Sequence, residues 1–201
     1  VSAQPPIEPL MEALLISTGV VAVAEIGDKT QLLALVLAAR FRKPIPIILG
    51  ILIATLANHA LAAWAGSLVA GWLGADVMRW ILGVSFLAMA VWIMIPDAVD
   101  DDTGGDSRFG PLIATIVTFF LLEIGDKTQI ATVALSARFN DLMLVTAGTT
   151  LGMMLANVPA VLLGEKAATK VPLKLVHGIA AAIFAVLGVL ALLNAGNVFG
   201  G

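Results

Sequence analysis

Apolar residues run along this chain in long unbroken blocks, and most charged residues fall in the gaps between them. A helix needs about 20 mainly apolar residues to cross the hydrocarbon core of a bilayer. Six blocks qualify, at roughly 11–37, 45–70, 77–96, 111–136, 142–164 and 173–194. The separators are Arg40–Lys43, Asp76 with Arg79, Pro96–Gly110, Arg138–Asp141 and Glu165–Lys170. The blocks are continuous rather than alternating with a period of two, which argues against a β-barrel. The pattern therefore predicts an all-α integral membrane protein with six transmembrane helices.

Composition supports this. Of 201 residues, 60% are hydrophobic and 12% charged, against about 45–50% and about 25% in soluble domains. So little polar surface excludes an ordinary cytoplasmic enzyme and a disordered tail. The formal net charge of −3 offers no basic face for phosphates, so no nucleic acid is expected as a partner. Cysteine is absent and histidine occurs twice, leaving zinc or copper short of preferred ligands. No resident cofactor is expected. Basic residues set the orientation. Arg40, Arg42, Lys43, Arg108, Lys166, Lys170 and Lys174 flank the first, third and fifth loops, while Arg79 and Arg138 flank the others. Odd-numbered loops are then cytoplasmic and both termini are non-cytoplasmic. A homo-oligomer in the lipid bilayer is compatible with the sequence.

The chain repeats itself. Residues 25–31 read EIGDKTQ, and residues 123–129 read EIGDKTQ again. Ala39-Arg40-Phe41 matches Ala137-Arg138-Phe139, Gly50 matches Gly148, and Leu56-Ala57-Asn58 matches Leu155-Ala156-Asn157. Arg79 and Gly83 align with Lys174 and Gly178. Residues 1–96 and 111–201 thus form two three-helix repeats joined by an acidic cytoplasmic linker, 97–110. Because three is odd, the second repeat enters from the opposite side, giving the inverted arrangement common in secondary transporters. A two-fold axis in the membrane plane then brings the two motifs together near the midplane.

The motif carries the chemistry. An Asp or Lys at the centre of a span costs about 2.5–3.5 kcal/mol and marks function by default. Read as continuous helix, Glu25 and Asp28 share a face that Gln31 extends, and Lys29 lies four residues beyond Glu25 in the favourable order. Glu123, Asp126, Gln129 and Lys127 repeat the pattern, and neither Asp28 nor Asp126 has such a lysine one turn away in sequence. Gly27 and Gly125 weaken the helix there by about 1 kcal/mol relative to Ala, and unwinding would offer carbonyl oxygens. Four carboxylates and two lysines leave a charge of −2, which one divalent cation or two protons would neutralise. Glu25, Asp28, Glu123 and Asp126 are the expected cation- and proton-binding residues. Oxygen ligands suit calcium, magnesium and manganese, and a compact dry site disfavours magnesium, which dehydrates reluctantly. Oxygen ligands alone do not discriminate calcium from manganese. Asn58 and Asn157 add amide oxygens or an interhelical hydrogen bond; Thr30 and Thr128 orient, ligate or pack. His59 has Val158 at its counterpart and reads as a hydrogen-bonded core histidine or a proton relay. His177 reads as a snorkelling group at a cytoplasmic helix end.

Two E-x-G-D-[KR]-[TS] motifs, one per half of a six-helix chain with an acidic central loop, resemble the GDT-one family, also called uncharacterised protein family sixteen. Glu25, Gly27, Asp28, Lys29 and Thr30 match its first motif, and Glu123, Gly125, Asp126, Lys127 and Thr128 its second; Gln31 and Gln129 fit the common extension. The resemblance covers essentially the whole chain. It implies exchange of manganese or calcium for protons along a path formed by the motif acids, and, in a bacterial member, manganese export across the cell inner (plasma) membrane. A divalent-cation channel, an intramembrane acid-dyad hydrolase and a scaffold of buried ion pairs are the alternatives.

Overall fold

The structure, a computed structural model, describes residues 7–73, 75–95, 110–163 and 173–193. Eight helices occupy them: α1 (Ile7–Glu25), α2 (Lys29–Phe41), α3 (Pro44–Trp72), α4 (Ala75–Trp92), α5 (Gly110–Glu123), α6 (Lys127–Phe139), α7 (Leu142–Leu163) and α8 (Leu173–Leu193). Of the 97–110 linker, only Gly110 falls within the described residues. By length and apolar composition α3, α7 and most of α8 can each cross a membrane; α1 and α2 qualify only together, bent by 69°. That makes three spans, or up to four, while Val77–Trp92 and Gly110–Glu123 are shorter apolar helices.

The expected spans 11–37 and 111–136 are therefore not continuous. Each breaks inside the repeated motif, after Glu25 and after Glu123. Glycine makes the break: Gly27 has φ 83° and Gly125 φ 77°, a left-handed region that costs other residues dearly. A Cβ on Gly125 would meet nothing within 4 Å, so backbone conformation rather than crowding requires glycine there. Asp28 (φ −77°, ψ 166°) and Asp126 (φ −77°, ψ 163°) follow as extended N-cap residues, and their amides bond Glu25 O and Glu123 O at 3.1 Å. α2 and α6 also end alike, on left-handed Arg42 and Asn140. The duplication persists down to the caps.

The halves are interleaved. α1 packs on α7, as α5 packs on α3, and α4 packs on α8. Small residues allow the approach, as expected where lipid supplies no hydrophobic drive between helices. Gly148 faces Leu14 O and Ser17, and Gly152 faces Thr18 O and Ala22 N; numbers rise together, so α1 and α7 run in the same direction. Gly50 faces Thr115 and Asn58 reaches Phe120 O, so α3 and α5 do likewise. Outward faces carry large apolar side chains such as Leu15, Leu121, Leu155 and Val186, with Trp64, Trp72 and Trp80 exposed among them. This is the surface of an integral membrane protein.

A Cβ at Gly152 would stand 2.6 Å from Thr18 O and 2.8 Å from Ala22 N, both backbone atoms that cannot swing aside. Gly152→Ala is expected to cost about 1–3 kcal/mol through overpacking. Gly19→Ala, where nothing lies within 4 Å, should be neutral or slightly stabilising, since Ala is the better helix former. Thermal melting of the detergent-solubilised pair checks this.

Candidate functional site

The two breaks face each other in the interior. Glu25, Asp28, Glu123, Asp126 and Lys127 are all at most 2% exposed. Lys29 Nζ lies 2.7 Å from Asp126 Oδ1, and Lys127 Nζ lies 2.6 Å from Asp28 Oδ1. Each motif's lysine thus pairs with the other motif's aspartate. This corrects the continuous-helix expectation in two respects. Glu25 and Asp28 do not share a helix face, because α1 ends at the first and α2 begins after the second. Lys29 does not pair with Glu25, because the bend turns α2 away and aims the ammonium group across the interface. Asp28 and Asp126 gain partners that neighbouring sequence positions do not supply.

Neighbouring polar residues hold this arrangement. Thr30 Oγ1 donates to Glu25 Oε2, and Thr128 Oγ1 donates to Glu123 Oε2 at 3.2 Å. The Gly27 amide donates to Gln31 Oε1 at 2.9 Å and the Gly125 amide to Gln129 Oε1 at 2.7 Å. Both glutamine oxygens are engaged in closing the breaks, and Gln31 Nε2 also donates to Ala156 O at 2.9 Å, tying α2 to α7. Asn58 Nδ2 donates across to Phe120 O at 3.1 Å; Asn157 Nδ2 turns back to Met153 O at 3.1 Å. The Oδ1 atoms of both asparagines, and Glu25 Oε1 and Glu123 Oε1, are buried with no hydrogen-bond partner among the described residues. Buried polar atoms are normally satisfied, so these oxygens suit a ligand.

One carboxylate oxygen each from Glu25, Asp28 and Asp126 lie within 4.8 Å of one another. An ion held at about 2.3–2.6 Å from oxygen ligands fits between oxygens so spaced. Glu123 stands outside that trio among the described residues. The lysines differ too: the Lys29 side chain is 20% exposed and Lys127 only 1%. Matching sequences therefore occupy unequal positions, a difference that identical motifs cannot signal.

The histidines depart from expectation. His59 is fully buried, and neither ring nitrogen has the expected hydrogen-bond partner among the described residues. His177 does not snorkel: its Nε2 lies 3.1 Å from Ile26 O, inside the first break.

Comparison with known proteins follows the site's duplication. The family model described as "Divalent cation/proton antiporter GDT1" matches residues 13–101 and 111–198, one segment for each half. A protein of Vibrio cholerae serotype O1 named "Putative manganese exporter" is 56% identical over 180 residues, which is 89% of this chain and 90% of that protein. No solved structure matches the chain.

Proposed function

The chain belongs to the GDT1 family of divalent cation/proton antiporters, and on that premise we propose that it exports manganese in exchange for protons, with calcium as the second candidate. Family membership makes it a transporter rather than an enzyme, so the hydrolase alternative falls. The observation that carries the proposal is the oxygen-lined trio of Glu25, Asp28 and Asp126, enclosed by two ion pairs that cross from one repeat to the other.

In this reading the four motif acids bind the cation and the exchanging protons. Lys29 and Lys127 hold the aspartates while the cation is away, and release oxygen ligands as it enters. Thr30 and Thr128 aim the glutamates; Gln31 and Gln129 keep the breaks closed, and Asn58 and Asn157 offer amide oxygens. The helices act as six spans in two inverted repeats, residues 1–96 and 111–201, with α1–α2 and α5–α6 as broken first and fourth spans. The shared directions of α1 with α7 and of α3 with α5 support this, because spans one and five, and two and four, must run alike. Alternating access moves one repeat against the other about the crossed ion pairs. The protein sits in the inner membrane with both termini outside the cytoplasm.

A site of charge −2 that accepts one divalent cation or two protons exchanges them without net current. In proteoliposomes carrying a pH dye and a metal dye, inward manganese is expected to drive protons out at a fixed ratio, with calcium slower. Cation entry without proton movement would favour a channel, and current scaling with turnover would overturn the one-for-two exchange.

A further inference from the structure

Among the described residues the bond between His177 and Ile26 has no equivalent in the other half. Arg79 aligns with Lys174 and Gly83 with Gly178, so His177 aligns with Leu82, which has no polar side-chain atom to offer. Ile26 is half-buried, whereas its counterpart Ile124 is 55% exposed. A helix break frees carbonyl groups from the ladder, and a freed carbonyl in a membrane interior must find a donor. Glu25 O is taken by the Asp28 amide; Ile26 O is taken by His177. A carbonyl only accepts, so Nε2 carries the proton, and it does so whether the ring is neutral or charged.

The location of this peptide matters more than the bond itself. Ile26 lies between Glu25 and Asp28, two members of the carboxylate trio. α8 approaches from the other half of the chain and packs on α4 and α1. Its histidine fixes the peptide that sets the separation of those two acids. We propose that His177 is a positioning residue that latches the first helix break from across the repeat boundary, so that the first half-site is more tightly preorganised than the second. The latch gives two identical motifs unequal surroundings. Without it the cation would have to order the break on binding, and that cost appears as weaker apparent affinity.

The test uses the full chain and two readouts, of which only the second rests on the proposed cation/proton exchange. In hydrogen exchange, His177→Ala is expected to speed exchange around residues 24–28 about tenfold, the size of one net hydrogen bond, and to leave residues 122–126 unchanged. In proteoliposomes it should raise the KM for manganese about tenfold with the maximal rate nearly unaltered. His177→Gln places an amide NH2 near the Nε2 position and should restore both; His177→Asn, shorter by one carbon, should restore neither. Unchanged exchange at the first break, equal acceleration at both breaks, or failure of Gln to outperform Asn would each overturn the latch. If the unaltered protein moves no manganese against protons, the transport reading fails while the hydrogen-exchange result still decides the latch.

Discussion

Asp28→Asn and Asp126→Asn are both expected to reduce manganese/proton exchange to the protein-free background, yet to differ sharply in their effect on folding. Each removes one oxygen of the carboxylate trio and half of a crossed ion pair. The lysine left behind is not in the same situation. Asp28→Asn takes a carboxylate from Lys127, whose side chain is 1% exposed, and breaking a buried ion pair costs about 3–5 kcal/mol. Asp126→Asn strands Lys29, which is 20% exposed and can reach water. Asp28→Asn should therefore melt well below Asp126→Asn in the same detergent. Adding Lys127→Met to Asp28→Asn removes the buried positive charge and should recover most of the stability without any transport. Equal melting of the two single variants would show that the surroundings of Lys127 hold its charge without Asp28. Recovery of transport in the double variant would mean that the aspartate serves only to neutralise the lysine, and would return the site to a scaffold of buried ion pairs.

These predictions depend on a pairing that only the folded chain displays. The identity of residues 25–31 and 123–129 is legible as a duplicated intramembrane acid site, and Gly27 and Gly125 stand out as places for the helix to yield. From one sequence, though, the distance from Glu25 to Lys29 looks like one helical turn, and local geometry favours an ion pair within the motif. A single positive φ at each glycine overrides that, because it redirects the following helix and sends the lysine to the opposite half. Blocks of apolar residues likewise locate α3, α7 and α8, in α7 despite Pro159 inside the helix. They cannot show where α1 gives way to α2, since periodicity continues through Ile26 and Ile124 while the backbone does not. His177 lies beyond reach for a different reason: its partner is a main-chain carbonyl 151 positions away, and carbonyls have no sequence signature. The repeat itself holds a clue, the mismatch of His177 with Leu82, but a mismatch shows only that the halves differ.

The same asymmetry separates the two glutamates. Glu25 contributes to the three-oxygen group and Glu123 does not, although both are fully buried, both accept from a threonine, and each keeps one oxygen with no hydrogen-bond partner among the described residues. Glu25→Gln is expected to weaken equilibrium manganese binding by at least about 30-fold, the lower end of the cost of removing one partner from a buried charged contact. Glu123→Gln should leave binding within about threefold, less than about 1 kcal/mol. Transport should stop in both. With Glu123 replaced by an amide, one of the two exchanging protons has no place to bind. Titration calorimetry of the solubilised variants separates binding from turnover. Equal loss of affinity in both variants would make the cation site a four-carboxylate centre shared evenly by the repeats. Retained affinity in Glu123→Gln with lost exchange would divide the labour between the two copies, with Glu25 held to the cation and Glu123 left to the proton.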